Sequence, residues 1–381
     1  MSPASRSSLF VAGAAAAIAA LATSTFLCAK YSSESKVGGD DEIRAKLPHD
    51  LQTWRLPGDD EEVENEIWNS LHRFFLEQGY TLWAHEWDVS LIPPEPETTS
   101  NAFLYVTSLR GLGKFYKYHR WEYMNPISRA ARARSGQDVI VRVVAIGEQG
   151  QRHLNILRKV ARGHQSLFAD NHALPMLDEL AFHDVVFAVF PKASLTLDLA
   201  YSSWAQNSAG DIINMIMQVL EGLAYLHSVG IAHRDVFKSN IMVEWMPESL
   251  LVGRPPVSHP RVYLIDFECA IDFPADCPEG QRHCVGLPIG DTMTTEGYLR
   301  PVPAEVAVGM PYDPFKLDVW QLGTSFSDFK STIAPIDKIL DTMAVRELSF
   351  CPTAASVLQS LGRVVESMAP NELLVKADCP E

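Results

Sequence analysis

The first side chains to suggest chemistry are two carboxylates and an amide. In His233-Arg234-Asp235-Val236-Phe237-Lys238-Ser239-Asn240 a carboxylate precedes an amide within one short loop. A second carboxylate follows at Asp266-Phe267, directly after the strand-like run Val262–Ile265. Phosphoryl transfer needs such groups. One carboxylate accepts or orients the proton of an attacking hydroxyl, while an amide oxygen and a second carboxylate hold the metal ion that bridges the phosphates. Asp235 suits the first role, and Asn240 with Asp266 suits the second.

The surrounding elements must put these groups together. Asp211–His227 reads as a long amphipathic helix with Ile212, Ile216, Val219, Leu223 and Leu226 on one face, stopped by Gly230. It ends just before His233. Asp318-Val319-Trp320-Gln321-Leu322-Gly323 opens another helix further on. Upstream, Asp138–Val144 (DVIVRVV) is dense in β-branched residues and reads as a strand. A helix-like segment follows, with Leu154, Leu157 and Val160 on its apolar side. Val185–Phe190 reads as another strand, halted by Pro191. The order is strands with one helix, then a mostly helical half, which predicts two lobes.

With these motifs in order, the sequence resembles the eukaryotic protein-kinase superfamily over roughly residues 130 to 365. The shared motifs are HRD-x-x-x-x-N, DF, the Pro303-Ala304-Glu305 segment near the place of the family's APE, DVWxLG and a final Pro352-Thr353-Ala354. The pattern is most similar to the divergent kinase-like proteins of basidiomycete fungi. The resemblance implies an α+β bilobal kinase fold: a small antiparallel-sheet lobe with one helix, and a larger helical lobe. It implies ATP and Mg²⁺ or Mn²⁺ as cofactors. Asp235, Lys238 and Arg234 would be catalytic. Arg142, Asn240 and Asp266 would bind the nucleotide, the last two through the metal. Arg234 would pair with a phosphate in the activation segment, at Thr292, Thr294 or Thr295. Asp318 would hold the catalytic-loop backbone, and His233, Phe267 and Leu157 would stack between the lobes.

The pattern also departs from the family. Asn125–Ser135 is the expected phosphate-covering loop, and it contains no glycine; the GxG of Gly111 and Gly113 lies further upstream. The phosphate-binding lysine falls on Arg142, and its glutamate partner on His153, with Glu148 as the alternative acid. Glu268 replaces the glycine of DFG. Lys238 follows Asp235 by three residues, where the family usually places its lysine at two. Cys351 stands where the family often has an arginine, and Trp245–Pro260 is a long insert. Three functions fit: an active protein kinase, Ser/Thr rather than Tyr because no AAR or RAA motif surrounds Lys238; a pseudokinase that binds or scaffolds; and a small-molecule kinase. DVWxLG and the Pro-Ala-Glu segment disfavour the third.

The 381 residues suffice for one large or two ordinary domains, and 47% hydrophobic residues support a real core. A formal charge of −15 argues against a nucleic-acid surface. Leu9–Ala29 carries no charge and is long enough to span a bilayer as one helix. A membrane anchor is the expectation, with a cleaved signal peptide or a mitochondrial presequence as alternatives. Arg6 precedes the run, while Lys30, Lys36, Arg44 and Lys46 follow it, which places the C-terminal part in the cytosol. Residues 1–8 are then a tail and 30–50 a linker. Residues 51–129 form an extension on the small lobe, 130–191 the N-lobe, 192–365 the C-lobe and 366–381 a tail. Within the extension, Asp59–Gln78 reads as a helix with Val63, Ile67, Leu71 and Phe74 on its apolar face, stopped by Gly79; Phe103–Val106 and Phe115–Tyr118 read as strands. Cys277, His283 and Cys284 read as an exposed loop of free thiols rather than a zinc site.

Overall fold

The two β-branched runs become neighbours in an antiparallel sheet. The protein is described by a computed structural model covering residues 39–55, 61–85, 90–92, 94, 121–122, 126–193, 195–201, 208–244, 260–290 and 298–378. The sheet contains β1 (Tyr80–Leu82), β5 (Ser128–Ala133), β6 (Asp138–Ile146), β7 (Asp178–Phe182) and β8 (Val185–Pro191). Its order is β1-β5-β6-β8-β7. Strand β6 is central, with Arg142 opposite Ser128 on one side and Ala188 on the other. Three short strands between β1 and β5, namely β2 (Ala84–His85), β3 (Ser90–Ile92) and β4 (Trp121–Glu122), pair separately.

Two expectations change here. Asn125–Ser135 is not a loop, because most of it is β5. The connection between the sheet's first two strands is instead 83–127, and it contains Gly111 and Gly113. The sheet also begins upstream of residue 130, at Tyr80.

The N-terminal residues cover this sheet. A helix over 39–46 (α1) precedes α2 (Leu51–Arg55), α3 (Glu61–Ser70) and α4 (His72–Gln78). Trp54, Trp68, Leu71 and Phe75 are wholly buried against Val141, Phe187 and Val189. The Phe75 and Phe187 rings meet edge to face at 5.0 Å. The single helix expected over Asp59–Gln78 is broken at Leu71. Its buried face runs through Glu64, Ile67, Trp68, Leu71 and Phe75, and Val63 is exposed. Glu64 goes inward because Arg129 of β5 meets it there at 3.7 Å. Gly79 stops α4 in the left-handed region, at φ +95°, where glycine is at ease.

Helix α5 (Gln151–Val160) packs beneath the sheet, and α7 (Ala209–Ser228) is the spine of the helical half. Ser208 caps α7 reciprocally with Asp211. Helix α9 (Pro314–Ser325) begins with Asp313 as its cap, so DVWQLG lies inside it rather than at its start. Helix α11 (Ala354–Glu366) packs on α7.

Cys284 does not sit in an exposed loop. Its backbone exchanges hydrogen bonds with Tyr312, and its side chain is buried with Val306 and Leu317. Leu9–Ala29, Phe103–Val106 and Phe115–Tyr118 lie outside the described residues. Among the described residues no helix is long and apolar enough to cross a membrane.

Candidate active site

A hairpin brings the two metal-type ligands side by side. Strand β11 (Ile241–Glu244) pairs antiparallel with β12 (Arg261–Leu264), Ile241 opposite Leu264. Asn240 therefore lies beside Ile265, whose N–H donates to the Asn240 carbonyl at 3.1 Å, and Asp266 comes next. The insert leaves at Glu244 and returns at Pro260, at the opposite end of the hairpin.

The loop carrying Asp235 is clamped by α9. The wholly buried Asp318 carboxylate accepts the His233 N–H at 2.9 Å and the Arg234 N–H at 2.6 Å. Gln321 accepts the Val236 N–H at 3.0 Å and donates to the Arg234 carbonyl at 2.9 Å. These bonds hold Arg234 at φ +67°, a conformation a non-glycine residue rarely adopts. Asp266 is also left-handed, at φ +63°. The His233 ring packs on Phe267 at 4.8 Å and bonds the Ile265 carbonyl at 2.9 Å.

Asp235 and Asn240 touch directly. The Asn240 amide donates to Asp235 Oδ2 at 2.5 Å and to the Asp235 carbonyl at 3.0 Å. Asp235 Oδ1 is buried without a hydrogen-bond partner. The Arg300 guanidinium approaches it, with Nε at 3.6 Å. Burial pushes the Asp235 carboxyl above its ordinary range, and Arg300 partly offsets that.

Arg142 reaches two carboxylates, Asp266 Oδ1 at 2.8 Å and Glu268 Oε2 at 3.4 Å. His153 supplies no acid. Burial, and then the Arg142 charge, push its pKa down to about 4, so it is neutral at pH 7. Glu148 is exposed in the turn before α5 and is not the partner either. Glu268 is gripped in turn by Arg55 of α2, which donates to both of its oxygens at 2.5 Å. Burial and Asp266 push Glu268 upward, but Arg55 and Arg142 outweigh them and hold it below the usual carboxylate range. Burial likewise works upward on Asp266, and Arg142 outweighs it. Leu51, Arg55, Arg142, His153 and Glu268 enclose only about 10 Å³, room for a single water. Gly290 lies against Glu268, where an added Cβ would come within 2.8 Å of its side chain.

Two expected residues point elsewhere. The Lys238 ammonium donates to both oxygens of Asp328, at 2.8 and 3.1 Å, and lies over the Phe326 ring. Arg234 is sealed on the carbonyls of Cys269 and Leu287 and the Tyr312 hydroxyl. Thr292, Thr294 and Thr295 lie outside the described residues. Cys351 is buried and bonds the Met343 carbonyl, while Glu305 accepts the Leu348 N–H instead. Sequence reasoning missed Arg55 and Arg300. Phe237, at the position the family usually gives to lysine, is the one signal that a cation must come from elsewhere.

The donor chemistry fits a hard divalent cation. Asp266 offers carboxylate oxygens, and Asn240 has committed its NH₂ to Asp235, which leaves its amide oxygen as the open group. Arg142 takes one Asp266 oxygen, so a cation there would share that carboxylate.

Lobes, clamped loop and metal-type hairpin together define a protein kinase, and the chain belongs to that family. Residues 152–352, just over half of the chain, match the protein kinase domain. A serine/threonine-protein kinase of Schizosaccharomyces pombe, ppk8, is 35% identical over 106 residues, 28% of this chain and 17% of that protein. Another from the same yeast, ksp1, is 26% identical over 173 residues, 45% of this chain and 32% of that protein. Calcium/calmodulin-dependent protein kinase type II of Caenorhabditis elegans is 31% identical over 147 residues, 39% of this chain and 17% of that protein. The chain thus spans less than a third of the length of each of these relatives.

Proposed function

We propose that this chain is an ATP-dependent protein kinase that phosphorylates serine or threonine, with Arg142 in place of the family's lysine. The observation that carries the reading is the Asp235–Asn240 pair, held in place through Asp318, with Asp266 across the hairpin. In the reaction, the substrate hydroxyl oxygen bonds to the γ-phosphorus. The bond from that phosphorus to the β,γ-bridging oxygen breaks, and ADP leaves with the electron pair. Asp235 takes the hydroxyl proton, and burial makes it a stronger base than an exposed aspartate. Asn240 and Asp266 would hold Mg²⁺ or Mn²⁺, which neutralises phosphate charge. Serine or threonine is preferred because the loop around Lys238 lacks the AAR or RAA of tyrosine kinases.

A pseudokinase is the second reading, favoured by one observation. Arg142 spends its charge on Asp266 and Glu268, groups that a metal–nucleotide complex must also approach. A thermal-shift titration of residues 39–381 with ATP and Mg²⁺ or Mn²⁺, beside Asp266→Asn, separates the two. A metal-dependent stabilisation of about 2.7 kcal/mol at a hundredfold excess over Kd, lost in the variant, supports the kinase. No stabilisation supports the pseudokinase.

The reading includes a single-pass anchor at Leu9–Ala29 with the kinase in the cytosol, supported by an uncharged run and the excess of Lys and Arg after it. Protease protection of a reporter fused after Ala29, in sealed vesicles, would overturn that orientation.

A further inference from the structure

Phe237 occupies the position, two residues after Asp235, where the family usually carries a lysine, and Lys238 turns away to Asp328. The described bonds of the Lys238 ammonium thus lead away from Asp235. A cation arrives from another part of the chain. The Arg300 guanidinium stacks over the Phe237 ring at 4.9 Å and donates from Nη2 to the Ser239 hydroxyl at 2.6 Å. Its Nε stands 3.6 Å from Asp235 Oδ1. Three contacts thus fix the guanidinium: an aromatic platform, a hydroxyl and the carboxylate itself. The Arg300 side chain is 38% exposed, so the cation keeps contact with solvent.

We propose that Arg300 is the relocated cation of the catalytic loop, supplying beside Asp235 the positive charge that the loop itself has lost. This rests on the kinase reading above. The Phe237 ring stands at the lysine position and is the platform on which Arg300 lies. As the substrate oxygen bonds to the γ-phosphorus and its proton passes to Asp235, negative charge shifts towards the equatorial phosphate oxygens and the bridging oxygen that leaves on ADP. Arg300 steadies that charge.

The test compares the intact chain with Arg300→Gln, which keeps a donor for Ser239 without charge, and Arg300→Lys, which keeps the charge. Phosphotransfer from γ-labelled ATP to a serine/threonine peptide library is followed at pH 7. Thermal melts with and without ATP and metal confirm that each variant folds and binds nucleotide. Arg300→Gln should lower kcat roughly a hundredfold, a loss comparable to that of one oxyanion donor. Arg300→Lys should restore part of kcat. Wild-type kcat in Arg300→Gln overturns the inference while leaving the kinase reading intact. An inactive wild-type chain that nucleotide does not stabilise overturns both.

Discussion

Replacing Glu268 by glutamine tests the charge cluster beneath the candidate active site. Among the described residues, Arg55 and Arg142 face Asp266 and Glu268, two charges of each sign. Glu268→Gln keeps the shape but leaves two guanidiniums sharing one carboxylate. The Glu268 side chain is 10% exposed and Arg142 14%, whereas Arg55 keeps 23% of its surface in water. Removing one partner of a buried ion pair costs about 3–5 kcal/mol, and the partial exposure of Arg55 puts this case near 3 kcal/mol. Urea unfolding of residues 39–381 at pH 7 should show a lower midpoint with an unchanged slope. The double variant Arg55→Gln/Glu268→Gln should recover about half of the loss, because the uncompensated charge is gone. Glu268 titrates below its unfolded value, so its contribution is complete above the unfolded pKa and fades as pH falls through the folded one. The gap between wild type and Glu268→Gln should therefore close in acid. A gap below 0.5 kcal/mol at pH 7 would show the cluster to be solvent-screened, and the argument from burial would fail.

Asp318→Ala should strip acceptors from two buried N–H groups and destabilise the chain by about 3 kcal/mol, read by urea unfolding; phosphotransfer should fall with it, because Arg234 loses the clamp that holds its left-handed backbone. His153 binds a proton less readily folded, at about 4, than unfolded, at about 6.5. Between those values the unfolded chain carries the extra proton, so stability should decline on acidification by about 3 kcal/mol, and His153→Gln should flatten that part of the profile in thermal melts across pH.

Much of the scaffold was legible because local pattern and tertiary use agreed. The β-branched run at Asp138–Val144, the helix over Asp211–His227 and its stop at Gly230 carried their own signals. Ser128–Ala133 did not: Ser-Arg-Ala-Ala-Arg-Ala has no β-branched residue, and it is a strand because β1 and β6 flank it. Val63 fitted an apolar face by spacing, yet Glu64 took the inward place because Arg129 meets it there. In the site, Asp235, Asn240 and Asp266 were readable because they lie within motifs of fixed spacing. Arg55 and Glu268 are 213 positions apart, and Arg300 reaches Asp235 from 65 residues downstream, so no local pattern could announce either pair. Lys238 shows the converse, since sequence places it beside Asp235 while Asp328, 90 positions away, draws the ammonium off.

The hairpin of β11 and β12 has a practical consequence. Its two ends serve different masters: one fixes Asn240 beside Asp266, and the other releases the chain at Glu244 and takes it back at Pro260. Length added at the open end enters the chain four ladder pairs away from Asn240 and Asp266. That makes the span between Glu244 and Pro260 a place where an engineer can seek a site for a fluorophore or an affinity handle at a distance from the ligand pair.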